Sequence, residues 1–196
     1  VVLAENAANG RGVAVSYIRD GEVLRVRGRH CVLACYNEII PSLCPTLPDA
    51  QKGALRQCAR RPMLVVNVAL RSGRPLQQSG VSSAYLPGRL CQGVMLTTGV
   101  NAAGYRPRWH PDNPCVVQFY GAVGPAQASG LTITEQNRAG RARLLNMSFA
   151  DHEREVRTVL QGVWGRGGLA PAEDILAITV NRWPHGYARD HLNLED

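Results

Sequence analysis

The chain alternates between two hydrophobic patterns, one typical of β-strands and one typical of α-helices. Residues 13–34 alternate apolar and polar positions around an Asp-Gly turn, which predicts a β-meander whose last strand is the buried run HCVLA. The apolar run PMLVVNVAL at 62–70 contains many β-branched residues, which predicts a central strand. Further strand patterns follow, so we expect one mixed sheet from strands at about 63–70, 81–86, 91–98, 115–120 and 174–181.

Helical patterns interrupt the strands at three places. Thr132 with Glu135, and Ser148 with Asp151, have the spacing of capping boxes, which predicts helices near 135–146 and 149–164. The second helix carries an apolar stripe at helical spacing, formed by Val156, Val159, Leu160, Val163 and Trp164. This stripe indicates that Trp164 belongs to the core and that both helices cover one face of the sheet. A shorter helix is expected after Asp49, which we interpret as its N-cap.

The order of elements is strands, helix, strands, two helices and strand, which is typical of an α+β fold. Residues 99–114 are rich in Gly, Pro and Asn and predict a long exposed loop. With 196 residues, of which 45% are hydrophobic and 19% charged, the chain has ordinary globular composition. No apolar run approaches the roughly 20 residues of a membrane span. The first residues, VVLAENAANG, include no initiating Met and resemble no signal peptide, so both ends are expected to be cut from a longer protein.

Charge and metal-ligand spacing exclude two classes of function. The formal charge of +7 invites a nucleic-acid partner, but the arginines are scattered from Arg11 to Arg189 and form no patch, so we expect none. The six cysteines contain no CxxC, and no histidine lies at zinc-finger spacing, so we expect no metal. The cysteines with apolar neighbours are interpreted as small buried thiols: Cys31, Cys35, Cys58 and Cys115. We interpret His152, between Asp151 and Glu153, as a solvated first-turn residue.

Catalytic and cofactor motifs are missing from the sequence. It contains no GxGxxG, GxxxxGK[ST], HExxH or GxSxG, so it predicts neither a phosphate cradle nor a self-sufficient catalytic centre. The one candidate site is the stretch NRWPHGYA at 181–188, where large rings and an imidazole follow the last strand. Such a strand end is typical of the wall of a binding site.

Two segments, RHCVLACYNEIIPSLCP and ITVNRWPHGYA, resemble the FAD-dependent amine oxidoreductase family, most closely the spermidine dehydrogenase group and its bacterial NAD(P)/FAD-dependent relatives. The resemblance runs over nearly the whole chain. It implies that 1–40 is a β-meander fragment of an FAD-binding, Rossmann-like domain, 41–181 a substrate-binding domain, and 182–196 a return segment toward the FAD domain. It also implies FAD as cofactor of the full-length protein and a small-molecule amine, including polyamines such as spermidine, as substrate.

The same resemblance implies roles for individual residues. Val1 or Val2 matches a valine whose backbone binds the adenine, and Cys35 with Tyr36 matches a turn near the cofactor. Trp183 matches a tryptophan beside the flavin, and Tyr187 an aromatic that directs the amine toward the ring. The expected cofactor-binding residues are therefore Val1, Val2, Cys35, Tyr36 and Trp183, and the expected substrate-binding residues are Trp183 and Tyr187.

His185 is the candidate catalytic residue, because an imidazole titrates near neutral pH and could orient the substrate or take a proton. A core-facing histidine with a satisfied ring explains the same position, and both interpretations stay open. Aromatic faces attract a cationic amine and exclude water, which suits hydride loss to a flavin. Gly186 would allow close backbone approach, and Pro184 would stiffen the strand exit.

Departures from the family pattern limit these expectations. Many relatives carry a lysine in the first strand of the substrate domain that aids reaction with oxygen, whereas PMLVVNVAL has none and Lys52 precedes it. This favours a dehydrogenase over an oxidase, with an unknown electron acceptor. The loop at 99–114 offers only Asp112 against several arginines, which disfavours a polycationic substrate. Without the Rossmann glycines, this chain alone is expected to bind no FAD and to be inactive.

A non-enzymatic α+β module, with WPHGY as a ligand or partner patch, remains the alternative. The oligomeric state stays open, as does the compartment, whether bacterial cytoplasm or periplasm.

Overall fold

A computed structural model of the chain describes residues 1–7, 10–99, 103–105, 109–125 and 130–188. The described residues form two compact units, one up to Ala59 and the other Arg60–Ala188. Residues 41–59 thus lie with the first unit, and the second unit extends past residue 181. The assignment of these regions to an FAD-binding domain, a substrate domain and a return segment stays a prediction. The end of that return segment, 189–196, lies outside the described residues.

The first unit is built on an antiparallel meander of three strands. β1 (Leu3–Asn6) pairs with β2 (Val13–Arg19), and β2 pairs with β3 (Glu22–Gly28). The turn between β2 and β3 is the expected Asp-Gly turn. Asp20 has a φ of 51° and Gly21 a φ of 83°, the left-handed pair that matches the twist of a hairpin.

The last strand predicted for this meander is wrong. HCVLA, at residues 30–34, forms no strand, and Val32 has an exposed fraction of 88%. The third strand of the meander is instead β1, which precedes the alternating pattern. An apolar run becomes a buried strand only where another element covers and pairs with it, and among the described residues HCVLA pairs with no strand and is half-buried only at Leu33.

Two short helices complete the first unit. A 3-10 turn at Asn37–Ile39 leads into α1 (Ile40–Leu43), and α2 spans Asp49–Arg56. The N-cap of α2 is Pro48 and not Asp49, because Asp49 already lies inside the first turn, where its carboxylate contacts Lys52 Nζ at 3.2 Å.

The second unit contains a five-stranded sheet with the order β5-β6-β7-β4-β8. Its strands are β4 (Arg60–Leu70), β5 (Ser83–Tyr85), β6 (Gly93–Leu96), β7 (Cys115–Ala122) and β8 (Ile175–Ala188). Its helices are α3 (Arg74–Ser79), α4 (Ile133–Asn146), α5 (Phe149–Trp164) and α6 (Pro171–Asp174). All five predicted strands are present in one sheet, and the α+β class is confirmed.

Strand directions differ from the mixed sheet that we expected, because every strand pair in the described sheet is antiparallel. The segment that contains α4, α5 and α6 connects β7 to β8 and acts as a crossover. Both β7 and β8 run antiparallel to β4, so they are parallel to each other. Because β4 lies between them, the crossover creates no parallel pair.

The core lies between the sheet and the helices on one face. Alternate positions of β4, from Leu64 through Val68 to Leu70, are almost completely buried. They join Phe119 of β7 and the stripe of α5 in one hydrophobic cluster. Trp164 is fully buried, and its indole N–H donates to the carbonyl of Val81 at 2.7 Å. The predictions that Trp164 is core and that the helices cover one face are confirmed.

The N-termini of α4 and α5 are capped by the capping boxes that the sequence predicts. The Thr132 and Ser148 hydroxyls accept from the backbone N–H groups of Glu135 and Asp151, whose carboxylates accept from the cap residues in return. These side-chain and backbone hydrogen bonds lower the pKa of both carboxyls.

Gly140 of α4 is required by close packing, and its replacement tests how tightly the helices lie on the sheet. A Cβ there would lie 2.1 Å from the carbonyl oxygen of Val123 and 3.1 Å from Pro62 Cγ. We expect Gly140→Ala to lower the free energy of unfolding by about 2 kcal/mol or more, because a backbone carbonyl cannot move aside cheaply. Urea unfolding followed by circular dichroism measures this loss.

Gly162 of α5 provides the matched control, since nothing lies within 4 Å of its Cβ position. Gly162→Ala should be neutral or raise the free energy of unfolding by up to about 1 kcal/mol, through helix propensity alone. Equal effects of the two substitutions would contradict the packing described for α4.

Candidate functional site

The candidate stretch at 181–188 lies within β8. The sequence indicated a strand ending near residue 181, but β8 continues to Ala188, with Trp183 opposite Met63 and Tyr187 opposite Arg61. One residue of β4 opposes three of β8 between these pairs, so the strand bulges there. Pro184 is tolerated because β8 is an edge strand that pairs on one side only.

Within the described residues of this unit, one face of the sheet carries no helix, and we call it the open face. In antiparallel pairs, residues directly opposite each other point to the same side. The open face therefore carries the half-buried side chains of β4 that alternate with its core residues, together with their partners on β7 and β8. Its described members on these three strands are Met63, Val65, Asn67, Ala69, Val116, Gln118, Tyr120, Ala122, Ala177, Thr179, Asn181 and Trp183.

Trp183 and Tyr187 are the most exposed rings of β8, with exposed fractions of 54% and 56%, whereas Trp164 has 0%. The prediction that these two rings lie at an edge of the fold and are more exposed than Trp164 is confirmed. Gly186 permits this arrangement, because a Cβ there would lie 2.5 Å from Met63 Cβ and 2.8 Å from Trp183 Cβ. The glycine makes room for Trp183 and Met63 to pack against the strand.

His185 lies in the bulge of β8, two residues from each ring, and is half-buried. The structure therefore places the candidate catalytic residue and both candidate substrate-binding residues in one segment of one strand. Their chemical roles stay predictions.

The remaining predicted cofactor residues lie in the first unit. Val1 and Val2 have exposed fractions of 68% and 46%, and the Val2 N–H donates to the carbonyl of Ser16 at 2.9 Å. Of the two valines, Val1 is thus the better fit to a backbone contact with a ligand. Cys35 and Tyr36 lie in the irregular segment before α1, and both are exposed.

The cysteines are not uniformly buried. Cys31 and Cys35 are exposed, so their interpretation as buried thiols is wrong, and Cys58 and Cys115 are half-buried. The one fully buried thiol among the described residues is Cys91, whose pKa is raised to about 12 by burial and by nearby Glu155. Burial also raises the pKa of Cys44, with Cys31 and Cys35 contributing, and that of Cys115. A raised pKa keeps a thiol protonated, which argues against a nucleophilic role for these three.

His152 is the clearest error of the sequence interpretation. It has an exposed fraction of only 2%, and neither ring nitrogen has a hydrogen-bond partner among the described residues. Burial, followed by the positive charge of Arg182, lowers its pKa, while Asp151 acts in the opposite direction. His152 is thus buried in the first turn of α5, where burial disfavours its protonated form.

A polar row on the open face was missed by sequence reasoning. Gln118 Nε2 donates to Asn67 Oδ1 at 3.0 Å, and Asn67 Nδ2 donates to Thr179 Oγ1 in a longer contact of 3.5 Å. The three residues lie side by side on β7, β4 and β8. The asparagine inside the otherwise apolar run PMLVVNVAL was the sequence signal for this row.

The predicted loop at 99–114 is only partly described, because 100–102 and 106–108 lie outside the described residues. In the described part, Trp109 packs on Gly73, with ring atoms 3.3 Å from the position of a glycine Cβ. Asp112 forms an ion pair with Arg74, and its backbone N–H donates to His110 Nδ1 at 3.2 Å. The one carboxylate of this loop is therefore already paired with an arginine.

Metal and membrane sites find no structural support in the part of the chain that the structure describes. The described His, Cys, Asp and Glu side chains contain no cluster of three or more that could bind a metal ion. Within the same residues, every helix is too short or too polar to cross a bilayer.

Comparison with known proteins gives similarity at the level of fold. No protein-family model and no curated protein matches the chain. Putrescine oxidase, in a wild-type structure bound to putrescine, aligns with a TM-score of 0.56 and 14% identity over 95% of this chain and 36% of that chain. Cyclohexylamine oxidase from Brevibacterium oxydans IH-35A aligns with a TM-score of 0.55 and 16% identity over 92% of this chain and 33% of that chain.

The chain thus spans about a third of the length of these oxidases and has the fold of that part of an amine oxidase. The more specific likeness to spermidine dehydrogenases has no support among these structures and stays a prediction.

Gly186 tests whether the placement of Trp183 depends on the bulge of β8. We expect Gly186→Ala to displace Trp183 or Met63, because both would clash with the new methyl group, and to lower the free energy of unfolding by about 1–3 kcal/mol. Urea unfolding and the tryptophan fluorescence maximum measure the two effects. Gly124→Ala is the control, since nothing lies within 4 Å of its Cβ position. An unchanged spectrum and stability in Gly186→Ala would contradict the close contact.

His152 makes a pH dependence of stability testable. Its pKa is lower in the folded than in the unfolded chain, so the unfolded chain binds the proton more readily as the pH falls. The free energy of unfolding should therefore be fully retained above the ordinary histidine pKa of about 6.5 and decrease as the pH falls below it toward the folded-state pKa. Urea titrations at several pH values measure this slope.

His152→Leu should flatten the slope in that window, since it removes the buried titrating ring. The control His30→Leu, at an exposed position, should keep the wild-type profile. The assignment would be wrong if the slope survived in His152→Leu.

Proposed function

We propose that this chain is the substrate-binding part of an FAD-dependent oxidoreductase that oxidises an amine by hydride transfer. The observation that carries the proposal is the pair of exposed rings, Trp183 and Tyr187, on the edge strand of a sheet that has the amine-oxidase fold. Large rings are rarely left in water without a ligand or partner to cover them. Putrescine oxidase and cyclohexylamine oxidase are named for amine substrates, which supports an amine here.

In this proposal Trp183 lies beside the flavin and Tyr187 directs the amine toward it. Aromatic faces hold an amine and exclude water. Arg61 lies opposite Tyr187 in the strand register and brings a positive charge to the same end of the open face. A nearby cation disfavours a protonated amine, so the site would favour the neutral amine, whose lone pair assists loss of hydride from the adjacent carbon.

The described residues fit part of FAD. The exposed ring of Trp183 offers a flat apolar surface to an isoalloxazine. In the first unit, Val1 or Val2 offers backbone to the adenine, and Cys35 with Tyr36 offers an exposed turn near the cofactor. When bound, FAD would supply the hydride acceptor. The chain has no GxGxxG fingerprint for the pyrophosphate, so we propose that binding needs further residues of a longer protein and that this chain alone is inactive.

His185 is proposed to act on the substrate from the bulge of β8, as a group that orients the amine or accepts its proton. It lies between the two rings in the chain and is half-buried, so its imidazole is sheltered from bulk water. That environment suits a group that positions the amine or takes its proton.

We further propose a dehydrogenase with an acceptor other than oxygen. β4, the first strand of the second unit, carries Asn67 and no lysine, so the residue type that assists the reaction with oxygen in many relatives is missing from it.

A second candidate function is a non-enzymatic binding module. The supporting observation is an exposed apolar pair on the meander, because Ile18 and Val23 lie opposite each other on β2 and β3 with exposed fractions of 58% and 70%. This surface suits a partner protein or another domain of the same protein. The two candidates differ in flavin content, because a binding module would show none in the longer protein.

The proposed function is tested in the longer protein with the substitution Trp183→Ala. We expect amine-dependent flavin reduction to slow by about tenfold or more, because the ring positions substrate and flavin, while the melting temperature changes little. Anaerobic stopped-flow reduction and a melting curve measure both quantities. Trp109→Ala is the matched control, since Trp109 is similarly exposed at 45% but is not part of β8.

Two results would contradict the proposal. A longer protein that purifies without flavin would favour the binding module. If Trp183→Ala reduced its flavin at the normal rate but melted at a much lower temperature, the WPHGY stretch would have a structural role in the core and no role at the flavin.

A further inference from the structure

The open face combines apolar residues with one row of neutral polar side chains. Met63, Val65 and Ala69 of β4 are apolar, yet Asn67 among them is an amide. An asparagine is disfavoured in strands, and an apolar residue would suit this surface equally well. In the sheet, Asn67 makes cross-strand hydrogen bonds to Gln118 and Thr179, and these polar side chains face the open side, where they can also meet a ligand.

The hydrogen bonds of the Gln118–Asn67–Thr179 row all run in one direction. Gln118 donates to Asn67, and Asn67 donates to Thr179, so both ends keep hydrogen-bonding capacity. The Gln118 Oε1 atom remains an acceptor at one end, and the Thr179 hydroxyl remains a donor at the other. Gln118 and Asn67 are half-buried and Thr179 is exposed, so the row is sheltered at one end and accessible at the other. The row thus offers a neutral group an acceptor at its β7 end or a donor at its β8 end.

Carboxylates are missing from this surface. None of the five strands of the sheet contains Asp or Glu. The described acidic residues of this unit lie in the helices α4, α5 and α6 or, as Asp112, in a loop where Arg74 already pairs with it. Among the described residues of this unit, an ammonium group at the row would thus find no counter-ion.

The distance from the rings to the row limits the length of a ligand that touches both. Trp183 and Thr179 are four residues apart on β8, which corresponds to about 13 Å at the usual rise of a strand. A linear aliphatic chain of about eight carbons with polar ends bridges most of this distance, and the hydrogen bonds bridge the remainder.

We propose that the Gln118–Asn67–Thr179 row binds the far end of the substrate, and that this end is a neutral hydroxyl or amide rather than a second ammonium. This inference rests on the proposed function, because it assumes that the amine end of the substrate lies at Trp183 and Tyr187. The substrate class is then a long-chain amine with a neutral polar terminus, and polyamines bind poorly.

The test uses the FAD-containing longer protein and compares three substrates with the same eight-carbon chain: aminooctanol, diaminooctane and octylamine. Anaerobic flavin reduction gives kcat/KM for each. We expect aminooctanol to exceed diaminooctane by about tenfold, the usual effect of one unmatched buried charge or hydrogen bond, and to exceed octylamine as well. A diaminooctane value equal to or above that of aminooctanol would overturn the proposal.

Substitutions then assign the preference to the row. Asn67→Leu should lower the ratio of aminooctanol to octylamine by about tenfold, since it removes the hydrogen bonds and keeps the volume. Asn67→Asp should shift the preference toward diaminooctane by supplying a counter-ion. The same Asn→Leu change at Asn146, at the end of α4 on the helix side of the sheet, should leave the ratio unchanged.

If Asn67→Leu fails to fold, Thr179→Val at the exposed end of the row gives the same ratio test. An unchanged ratio in a folded variant would overturn the proposal. Failure of all three amines to reduce the flavin would instead overturn the proposed function, and this inference with it.

Discussion

The alternation of β4 is the constraint on which the second unit depends. β4 pairs with β7 on one side and β8 on the other, so its register is fixed along its whole length. Leu64, Val66, Val68 and Leu70 enter the core beneath the helices, and the residues between them form the open face. A slip of one residue would send the core residues to the open face and the polar row into the core. Packing thus fixes which residues can meet a ligand.

The helices follow from that constraint. α5 buries Val156, Leu160 and Trp164 against the core face of β4, and α4 lies close enough that Gly140 has no room for a Cβ. Because the helices cover one face of the sheet, Trp183 of the edge strand β8 lies on the other, open face. The bulge opposite Pro62 then turns the end of β8, and Gly186 lets Trp183 pack against Met63.

Local signals made most of the second unit predictable. Capping boxes at Thr132 and Ser148, the stripe of α5 and the strand patterns all depend on neighbours within a few residues, and each is found where expected. The exposure of Trp183 and Tyr187 was also predictable, because these rings follow the last apolar run and, unlike Trp164, belong to no apolar helical stripe.

The errors concern positions decided by distant contacts. His152 lies in the first turn of α5, where a polar residue is usually solvated, but Arg182 and the core lie over it. HCVLA has the composition of a buried strand and no partner to pair with. The antiparallel pairing followed from β4 lying between β7 and β8, which no local pattern encodes. The polar row was missed for the same reason, since its three residues are 51 and 112 positions apart along the chain.

The charges of the sheet residues bear directly on which ligand the proposed site would accept. The chain carries a formal charge of +7, and its sheet contains arginines but no carboxylates. Under the proposed function, rings, amides and a hydroxyl with Arg61 nearby would not compensate a polycation, whereas they would hold a single amine in its neutral form. Selectivity would then come from unmatched groups, because a ligand end that meets the row without a hydrogen bond, or with an uncompensated charge, loses more affinity than a matched end gains. The lack of carboxylates in the five strands would thus limit the substrates of the proposed site.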